Sequence, residues 1–262
     1  MKDEKPDKIT AVIPTYNEAD NIPSVIRKLF ALDLPHFTVV IVDDNSPDNT
    51  AKVAAHLSNK YHNNIEVIVR PQKSGLGTAY KQGFKHAINN GAKFIVQLDA
   101  DLSHPVSEIP AMLEKLKEAD IVVGSRYASK LFDFRKQNDW PVHRRLLSSI
   151  GNLAIRLVSG IKVHDTTSGF KIIRHQVIHN IKLDEFICKG FGFQAEMAFK
   201  CQSKRYKTIE HPIEFINRTK GHSKMSAFII AESVLVLLCL RISQIKKSLF
   251  LNKNLRNHTF YD

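Results

Sequence analysis

The sequence has few cysteines and no signal-peptide pattern at its start, and both features bear on where the protein works. Its 262 residues include three cysteines, Cys188, Cys201 and Cys239, an odd number without the spacing of a metal site. The first seven residues lack the basic and apolar segments of a signal peptide. We therefore expect a reducing compartment, the cytoplasm.

No apolar run is long enough to cross a membrane. The most apolar stretch near the C-terminus, Ala227 to Leu240, has 14 residues and is interrupted by Glu232, whereas a spanning helix needs about 20 apolar residues. Three cations follow it by residue 247. The pattern predicts that 227–262 form an amphipathic helix and basic tail at an anionic membrane surface. The alternative is a C-terminal helix packed on the sheet.

Acidic residues are outnumbered. The chain has 38 Lys and Arg against 26 Asp and Glu, a formal net charge of +12, and residues 218–256 hold eight cations and one acid. An acidic partner is expected: a phosphate ligand, an anionic lipid or nucleic acid. Nucleic acid is disfavoured, because the cations are not interleaved with aromatic side chains that could stack on bases.

Two common nucleotide-binding signatures are missing. No GxGxxG follows the first strand-like run, which argues against a nicotinamide or flavin enzyme. The Gly-rich segment Gly75–Thr78 allows close backbone approach, but it lacks the Gly-Lys-Ser/Thr of a Walker motif, so ATP hydrolysis is not expected.

The sequence does contain a regular succession of strand-like runs. They are spaced by 28, 28, 29 and 27 residues and begin at Ile9, Phe37, Ile65, Phe94 and Ile121. Apolar residues at helical spacing lie between them. The predicted fold class is α/β: a doubly wound, mostly parallel sheet with flanking helices and a C-terminal amphipathic helical tail. The expected division is a domain over 1–226 and the tail over 227–262.

The fourth run ends in two acids. Phe94 to Leu98 is mostly apolar and is followed by Asp99-Ala100-Asp101. If the strand continued, both acids would share one face, at the edge where open α/β sheets bind ligands. Two such carboxylates suit Mg²⁺ or Mn²⁺. A solvated acidic turn is the alternative.

Other strand ends add candidate ligand groups at the same edge. After the first strand, Tyr16 offers a face for a base and Glu18 an acceptor for a base or ribose. Asp43 and Asp44 end the second strand, like the acid that holds a nucleotide ribose in dinucleotide folds. After the fifth strand, Arg126 is a candidate phosphate clamp, although an isolated Arg there is usually a surface residue.

Residues 128–145 interrupt the strand–helix rhythm with mixed cations and exposed-looking apolar residues. We hypothesise a lid that closes over an amphiphilic ligand, with a crowded surface loop as the alternative. Further on, Asp165 to Phe170 predicts a turn into another strand, and Gly190 to Glu196 predicts a helix start with a buried acid.

Five motifs, taken in order, resemble the family-2 inverting glycosyltransferases of GT-A fold. They are Pro14–Glu18, Val42–Asp48, Gly75–Tyr80, Asp99–Pro105 and Gly124–Tyr127. The resemblance extends over residues 9–226 and is strongest to members that transfer mannose to dolichyl or polyprenyl phosphate.

The resemblance implies transfer of mannose from GDP-mannose to a polyprenyl phosphate on the cytoplasmic face of a membrane. Asp99, Asp101 and Arg126 would be catalytic, and the two acids would bind Mg²⁺ or Mn²⁺. Another donor such as UDP-glucose is one alternative. A non-catalytic basic module that binds nucleotides or nucleic acid is the alternative of another class.

The resemblance also assigns substrate contacts. Five residues would hold the guanosine: Pro14, Tyr16, Glu18, Val42 and Asp44. The backbone of Ala100 would lie near the sugar nucleotide. Three cations would meet the diphosphate or the acceptor phosphate: Arg126, Arg218 and Lys224. The lipid phosphate would be bound by Arg144 and Ser148.

The sequence departs from the family pattern in two places. Ser103 stands where some relatives place a Gln beside the metal, so it is not counted as a ligand. The two C-terminal transmembrane helices of some relatives have no counterpart, so attachment is expected through the amphipathic tail or a membrane-anchoring partner subunit.

Overall fold

The fold is organised around one seven-stranded sheet with the strand order β3-β2-β1-β4-β6-β5-β7. We describe it from a computed structural model, which covers residues 7–128, 142–214 and 233–246, without the side chains of 142–147. The strands are β1 (Ile9–Thr15), β2 (Phe37–Asp43), β3 (Ile65–Val69), β4 (Phe94–Gln97), β5 (Ile121–Ser125), β6 (Lys171–Arg174) and β7 (Thr208–Pro212).

The five predicted strand starts are confirmed. The apolar runs are strands because helices cover both faces of the sheet, and such strands read as nearly continuous apolar sequence. All seven residues of β1 are buried, for example. The order β3-β2-β1-β4 is parallel throughout, as expected of a doubly wound fold.

β6 is the exception, because it pairs antiparallel with β4 and with β5. Lys171, its first residue, lies opposite Gln97 of β4 and Val123 of β5. The turn that leads into β6 therefore lies beside the carboxyl ends of its two neighbours, at the ligand-binding edge.

Helices cover the two faces of the sheet. They are α1 (Ile22–Phe30), α2 (Thr50–Lys60), α3 (Leu76–Asn89), α4 (Ile109–Lys115), α5 (Val142–Ser159), α6 (His175–Asn180) and α7 (Phe193–Ser203). One apolar cluster joins the sheet to α1, α2 and α4. A second cluster joins the opposite face to α3, α6 and α7.

A third, smaller cluster joins α5 and α7 to the C-terminal helical segment 233–246. Ile155 and Leu237 are buried in it, and Arg241 donates a hydrogen bond to the carbonyl of Ser159. Within the described ranges, no helix is both long and apolar enough to cross a bilayer. The predicted boundary at 226/227, most of the hypothesised lid and the tail beyond 246 lie outside the described residues.

Candidate active site

A cleft of about 180 Å³ opens at the carboxyl ends of β1, β2 and β4. The position follows from topology: β2 and β3 lie on one side of β1, and the chain then crosses back to place β4 on the other side. Open α/β sheets bind ligands at such a switch point. The lining residues are Pro14, Thr15, Tyr16, Glu18, Asp44, Lys73, Gly75, Leu76, Ala79, Asp99, Ala100, Asp101, Gly190 and Phe191.

Asp99 and Asp101 both line the cleft, but not in the way that strand periodicity predicts. β4 ends at Gln97, and the two acids lie in the turn that follows. The prediction that they share a face of a continuing strand is wrong, because Ser103 bonds back to Asp101 and closes the chain into a turn.

A side chain of α3 fixes the Asp99 carboxylate. The hydroxyl of Tyr80 donates to its Oδ1 at 2.9 Å. Burial, together with the charge of Asp99, raises the pKa of Tyr80 above its usual value, so this hydroxyl remains a donor. The backbone N–H of Asp99 donates to Nδ1 of His104 at 3.2 Å. Burial lowers the pKa of His104, which keeps the ring neutral and able to accept.

Asp101 is 5% exposed, and its Oδ1 accepts bonds from the backbone N–H and the hydroxyl of Ser103, at 3.0 and 2.5 Å. Ser103 therefore orients the acid, a role the sequence did not reveal. The described residues contain no group of three His, Cys, Asp or Glu that could hold a metal. Two carboxylates are nevertheless sufficient for Mg²⁺ or Mn²⁺ when substrate phosphates complete the coordination, so the donor set fits such an ion.

In the part of the cleft where the sequence resemblance places guanosine, a cation that sequence reasoning missed holds Asp44. Arg70 donates from Nη1 to Asp44 Oδ1 at 2.7 Å and from Nη2 to the hydroxyl of Thr78 at 2.6 Å. Arg70 and Asp44 are 8% and 6% exposed. The neighbouring Asp43 is structural, since it is fully buried and bonded to Thr15 and to Ser46.

Tyr16, Glu18 and Lys73 also line the cleft. The Nζ of Lys73 lies 3.9 Å from the centroid of the Tyr16 ring, which is a cation–π contact. Glu18 Oε2 accepts a bond from the amide of Asn21 at 2.7 Å. Pro14 lies at the end of β1, in register with Val42.

Val42 differs from the other predicted guanosine contacts. Its side chain is fully buried, and a Cβ at Gly83 would lie 3.0 Å from it. The side chain therefore packs between β2 and α3, and Val42 is not among the residues that line the cleft.

Arg126 is fixed by an acid rather than extended toward solvent. Its Nε and Nη2 donate to the two carboxylate oxygens of Asp165 at 2.8 and 2.7 Å, and Nη2 also reaches Thr167 at 3.0 Å. Burial would lower the pKa of Arg126, but the charge of Asp165 and its hydrogen bonds to Arg126, with smaller contributions from Tyr127 and Asp99, together raise the pKa. Burial would likewise raise the pKa of Asp165, but Arg126 lowers it. The pair is charged.

The structure describes only some of the residues that were predicted to bind the acceptor phosphate. Ser148 on α5 shares a hydrogen bond of 2.9 Å with the hydroxyl of Tyr127, next to Arg126. Arg144 lies on α5, one turn before Ser148, with its side chain outside the description. Arg218 and Lys224 fall outside the described residues.

A loop from Phe186 to Gly192, here called the cleft wall, lines the cleft with Gly190 and Phe191. The fully buried Glu196, the acid expected after Gly190, holds this wall in place. Its carboxylate accepts bonds from the backbone N–H groups of Ile187 and Cys188 at 2.8–3.0 Å.

The sheet with its one antiparallel strand, and the acid-lined cleft at the switch point, define a glycosyltransferase of the GT-A fold. Glucosyl-3-phosphoglycerate synthase from Mycobacterium tuberculosis, in complex with Mn²⁺, UDP and phosphoglyceric acid, matches with a TM-score of 0.63 at 17% identity, over 90% of this chain and 78% of that one. A Pyrobaculum calidifontis mannosyltransferase in complex with GDP-Man and Mn²⁺ matches with a TM-score of 0.56 at 16% identity, over 82% and 58%.

The chain belongs to glycosyl transferase family 2, whose model matches residues 10–182. It is 35% identical to undecaprenyl-phosphate mannosyltransferase of Micrococcus luteus, over 87% of this chain and 91% of that protein. It is 34% identical to polyprenol monophosphomannose synthase of Mycolicibacterium smegmatis, over 85% and 83%. Identity to dolichol-phosphate mannosyltransferase of Pyrococcus furiosus is 36%, over 86% of this chain and 61% of the relative.

Proposed function

We propose that this chain transfers mannose from GDP-mannose to a polyprenyl phosphate on the cytoplasmic face of a membrane, with inversion at the anomeric carbon. The observation that carries the proposal is the turn in which Asp99 and Asp101 line the same cleft as the nucleoside-side residues. The relatives that match most of this chain's length are named for mannose transfer to such lipid phosphates.

The donor diphosphate would lie over Asp99 and Asp101. Breaking the bond to the sugar leaves negative charge on the departing diphosphate. The two acids would hold Mg²⁺ or Mn²⁺, which would supply the compensating charge. The protein's contribution is to hold both carboxylates in position. Tyr80 donates a hydrogen bond to Asp99, and Ser103 donates one to Asp101.

The acceptor requires no general base. A phosphate monoester has a second pKa of about 6, so most of it is dianionic at neutral pH and already nucleophilic. A sugar hydroxyl would instead need a positioned base. The acceptor side therefore has to attract an anion, and we assign this to Arg126, Arg144, Arg218 and Lys224, with Ser148 adding a hydroxyl.

At the nucleoside end, we propose that Asp44, with Arg70 behind it, and Glu18 accept bonds from the base and ribose of guanosine. Tyr16 and Pro14 would pack against the nucleoside. UDP-glucose is the alternative donor, because a structural neighbour with the same fold is a complex with UDP. The mannose-transferring relatives favour GDP-mannose.

Attachment to an anionic membrane surface is proposed for the face formed by α5 and segment 233–246, the start of the proposed tail region 227–262. The two helices expose apolar side chains: Ile150, Leu153, Leu157, Leu235, Leu238, Ile242 and Ile245. This face is here called the two-helix face, and its two helices also carry the cations Arg156 and Lys246. A membrane-anchoring subunit is the competing means of attachment.

The test is a transfer assay with purified protein, Mn²⁺, a short polyprenyl phosphate and a panel of radiolabelled sugar nucleotides. Label from GDP-mannose is expected in the lipid fraction, and chelation of the metal or Asp101→Asn should abolish it. The surface variant Asp184→Asn, at an exposed acid, serves as the control. Transfer from UDP-glucose and not from GDP-mannose would show that UDP-glucose is the donor. No transfer, with tight and salt-sensitive binding of RNA, would favour the non-catalytic reading.

A further inference from the structure

The turn Asp165–Phe170, which leads into β6, contacts both halves of the site. On the donor side, the backbone at Gly169 abuts the metal-binding acid: a Cβ there would lie 2.9 Å from Asp99 Oδ2. The next residue, Phe170, stacks on the ring of His104 with 5.3 Å between ring centroids. His104 in turn accepts from the Asp99 backbone. The turn therefore fixes the position of Asp99.

On the acceptor side, the same turn holds a cation and a helix. Asp165, fully buried, forms the paired bonds to Arg126. Thr166, also fully buried, donates its hydroxyl and its backbone N–H to Asn152 Oδ1 of α5, at 2.6 and 3.0 Å. The amide of Asn152 donates to Thr167 at 3.3 Å.

These contacts close into a ring. Arg126 bonds to the turn, the turn bonds to Asn152, and α5 carries Ser148 one helical turn before Asn152. Ser148 then bonds to Tyr127, the neighbour of Arg126. Because the ring includes the end of β5, the turn and α5, it sets the distance between the two acceptor-side elements.

We propose that Asn152 is a positioning residue for the acceptor phosphate. It fixes α5, with Ser148 and Arg144, against the turn that also holds Arg126 and abuts Asp99. The inference rests on the proposed function and deepens it. One buried amide would set the position of the acceptor-binding residues of α5 relative to the acids that bind the donor.

The chemistry of the position requires an amide. Oδ1 must accept two bonds from Thr166, while Nδ2 must donate to Thr167, and a single carboxylate or hydroxyl side chain supplies only part of this set. A carboxylate would also add a second negative charge beside Asp165. Asn152 is 4% exposed, so water does not replace the lost bonds when the amide is removed.

The test compares steady-state kinetics of Asn152→Ala and Thr166→Val with wild type, varying polyprenyl phosphate and GDP-mannose separately. Both variants should raise the acceptor KM about tenfold, the size of effect expected when a buried hydrogen bond is lost. The donor KM should change by less than about twofold, since the variants leave the Asp99 side in place. Thr166→Ser keeps the hydroxyl and should restore the acceptor KM.

The matched control is Ile155→Ala, a cavity variant on the same helix whose side chain packs in the third apolar cluster. It should lower the melting temperature and leave the ratio of acceptor to donor KM unchanged. Equal rises of both KM values in Asn152→Ala, or an unchanged acceptor KM, would overturn the inference alone. Failure of the wild-type protein to transfer mannose would overturn the proposed function and the inference with it.

Discussion

At the scale of single residues, a buried cation lies at the start of β6, opposite the last residue of β4. Lys171 is 3% exposed, and its Nζ donates to the Ser168 carbonyl and to Oε1 of Gln194. Gln97 also donates to that oxygen, at 2.7 Å. Burial lowers the pKa of Lys171 to about 8, and the nearby Asp165 only partly offsets this effect. Near neutral pH the protein therefore tolerates a charge that its interior disfavours.

This pKa predicts how stability depends on pH. The unfolded chain keeps its lysine proton to about pH 10.4, whereas the folded protein releases it near pH 8. Between these values the unfolded state binds more protons, so the free energy of unfolding rises with pH. Relative to Lys171→Met, the wild type should gain about 1 kcal/mol between pH 7.5 and 9 in denaturant titrations.

The control for that measurement is Lys85→Met, whose lysine is half exposed and paired with Asp184 on the surface. Its stability difference from wild type should stay constant over the same range. A difference between wild type and Lys171→Met that is flat, or that falls as the pH rises, would contradict the account.

At the scale of elements, the cleft wall depends on one acid from α7. Glu196 is fully buried, and its two oxygens serve the backbone of Ile187 and Cys188. The start of α3 packs against the same wall, since Gly77 N–H donates to the Lys189 carbonyl at 2.8 Å. A Cβ at Gly75 would lie 2.6 Å from that oxygen. Both contacts fix the distance between the wall and α3.

We predict that Glu196→Gln weakens both the fold and donor binding. The amide places an NH₂ group against backbone donors, so the free energy of unfolding should fall by about 1–3 kcal/mol. Affinity for GDP, measured by calorimetry, should fall as the wall loses its position. Glu185→Gln, at an exposed ion pair with Lys182, is the control and should change neither. Unchanged GDP affinity in a destabilised Glu196→Gln would show that the wall does not shape the donor site.

The strands show which parts of the fold could be predicted from the sequence. The strands starting at Ile9 and Phe37 could be predicted because buried parallel strands are continuous apolar runs. The insertion of β6 between β4 and β5 could not, because strand pairing across a long connection leaves no local pattern. The pairing of Arg70 with Asp44, 26 residues apart, could not be predicted for the same reason.

The acids illustrate the same limit. Their type and spacing predicted a paired-carboxylate site, and both do line one cleft. Their geometry could not be predicted, since it depends on Tyr80 of α3 and on the bonds that Ser103 makes within the turn. The prediction that Asp165 to Phe170 is a turn into a strand is confirmed, but its contacts with Arg126 and Asn152 required the fold.

At the scale of the whole molecule, the chain combines a net positive charge with exposed apolar surface. The chain carries a net charge of +12, and the two-helix face exposes large apolar side chains, with Leu157 at 75% and Leu235 at 62%. Cations near an anionic bilayer and apolar side chains that insert at its surface reinforce each other. The same helix α5 carries Ser148, so docking through this face would bring a lipid phosphate close to the site.

We predict that the double variant Leu157→Gln, Leu235→Gln binds phosphatidylglycerol-containing vesicles about tenfold more weakly, because two exposed leucines no longer insert. Co-sedimentation measures the bound fraction. Val69→Gln is the matched control, since Val69 is 57% exposed on the edge strand β3 and should bind like wild type. Equal loss in the control and the double variant, or no loss in either, would argue for attachment by other means.

The central claim is that Asp99 and Asp101 hold a divalent ion against the diphosphate of the donor. The most direct measurement is anomalous diffraction at the manganese edge from crystals soaked with Mn²⁺ and GDP-mannose. The account predicts one strong anomalous peak in the cleft, within coordination distance of both carboxylates and of phosphate oxygens, and its loss in Asp101→Asn. Donor density in the cleft without a manganese peak beside these two acids would contradict it.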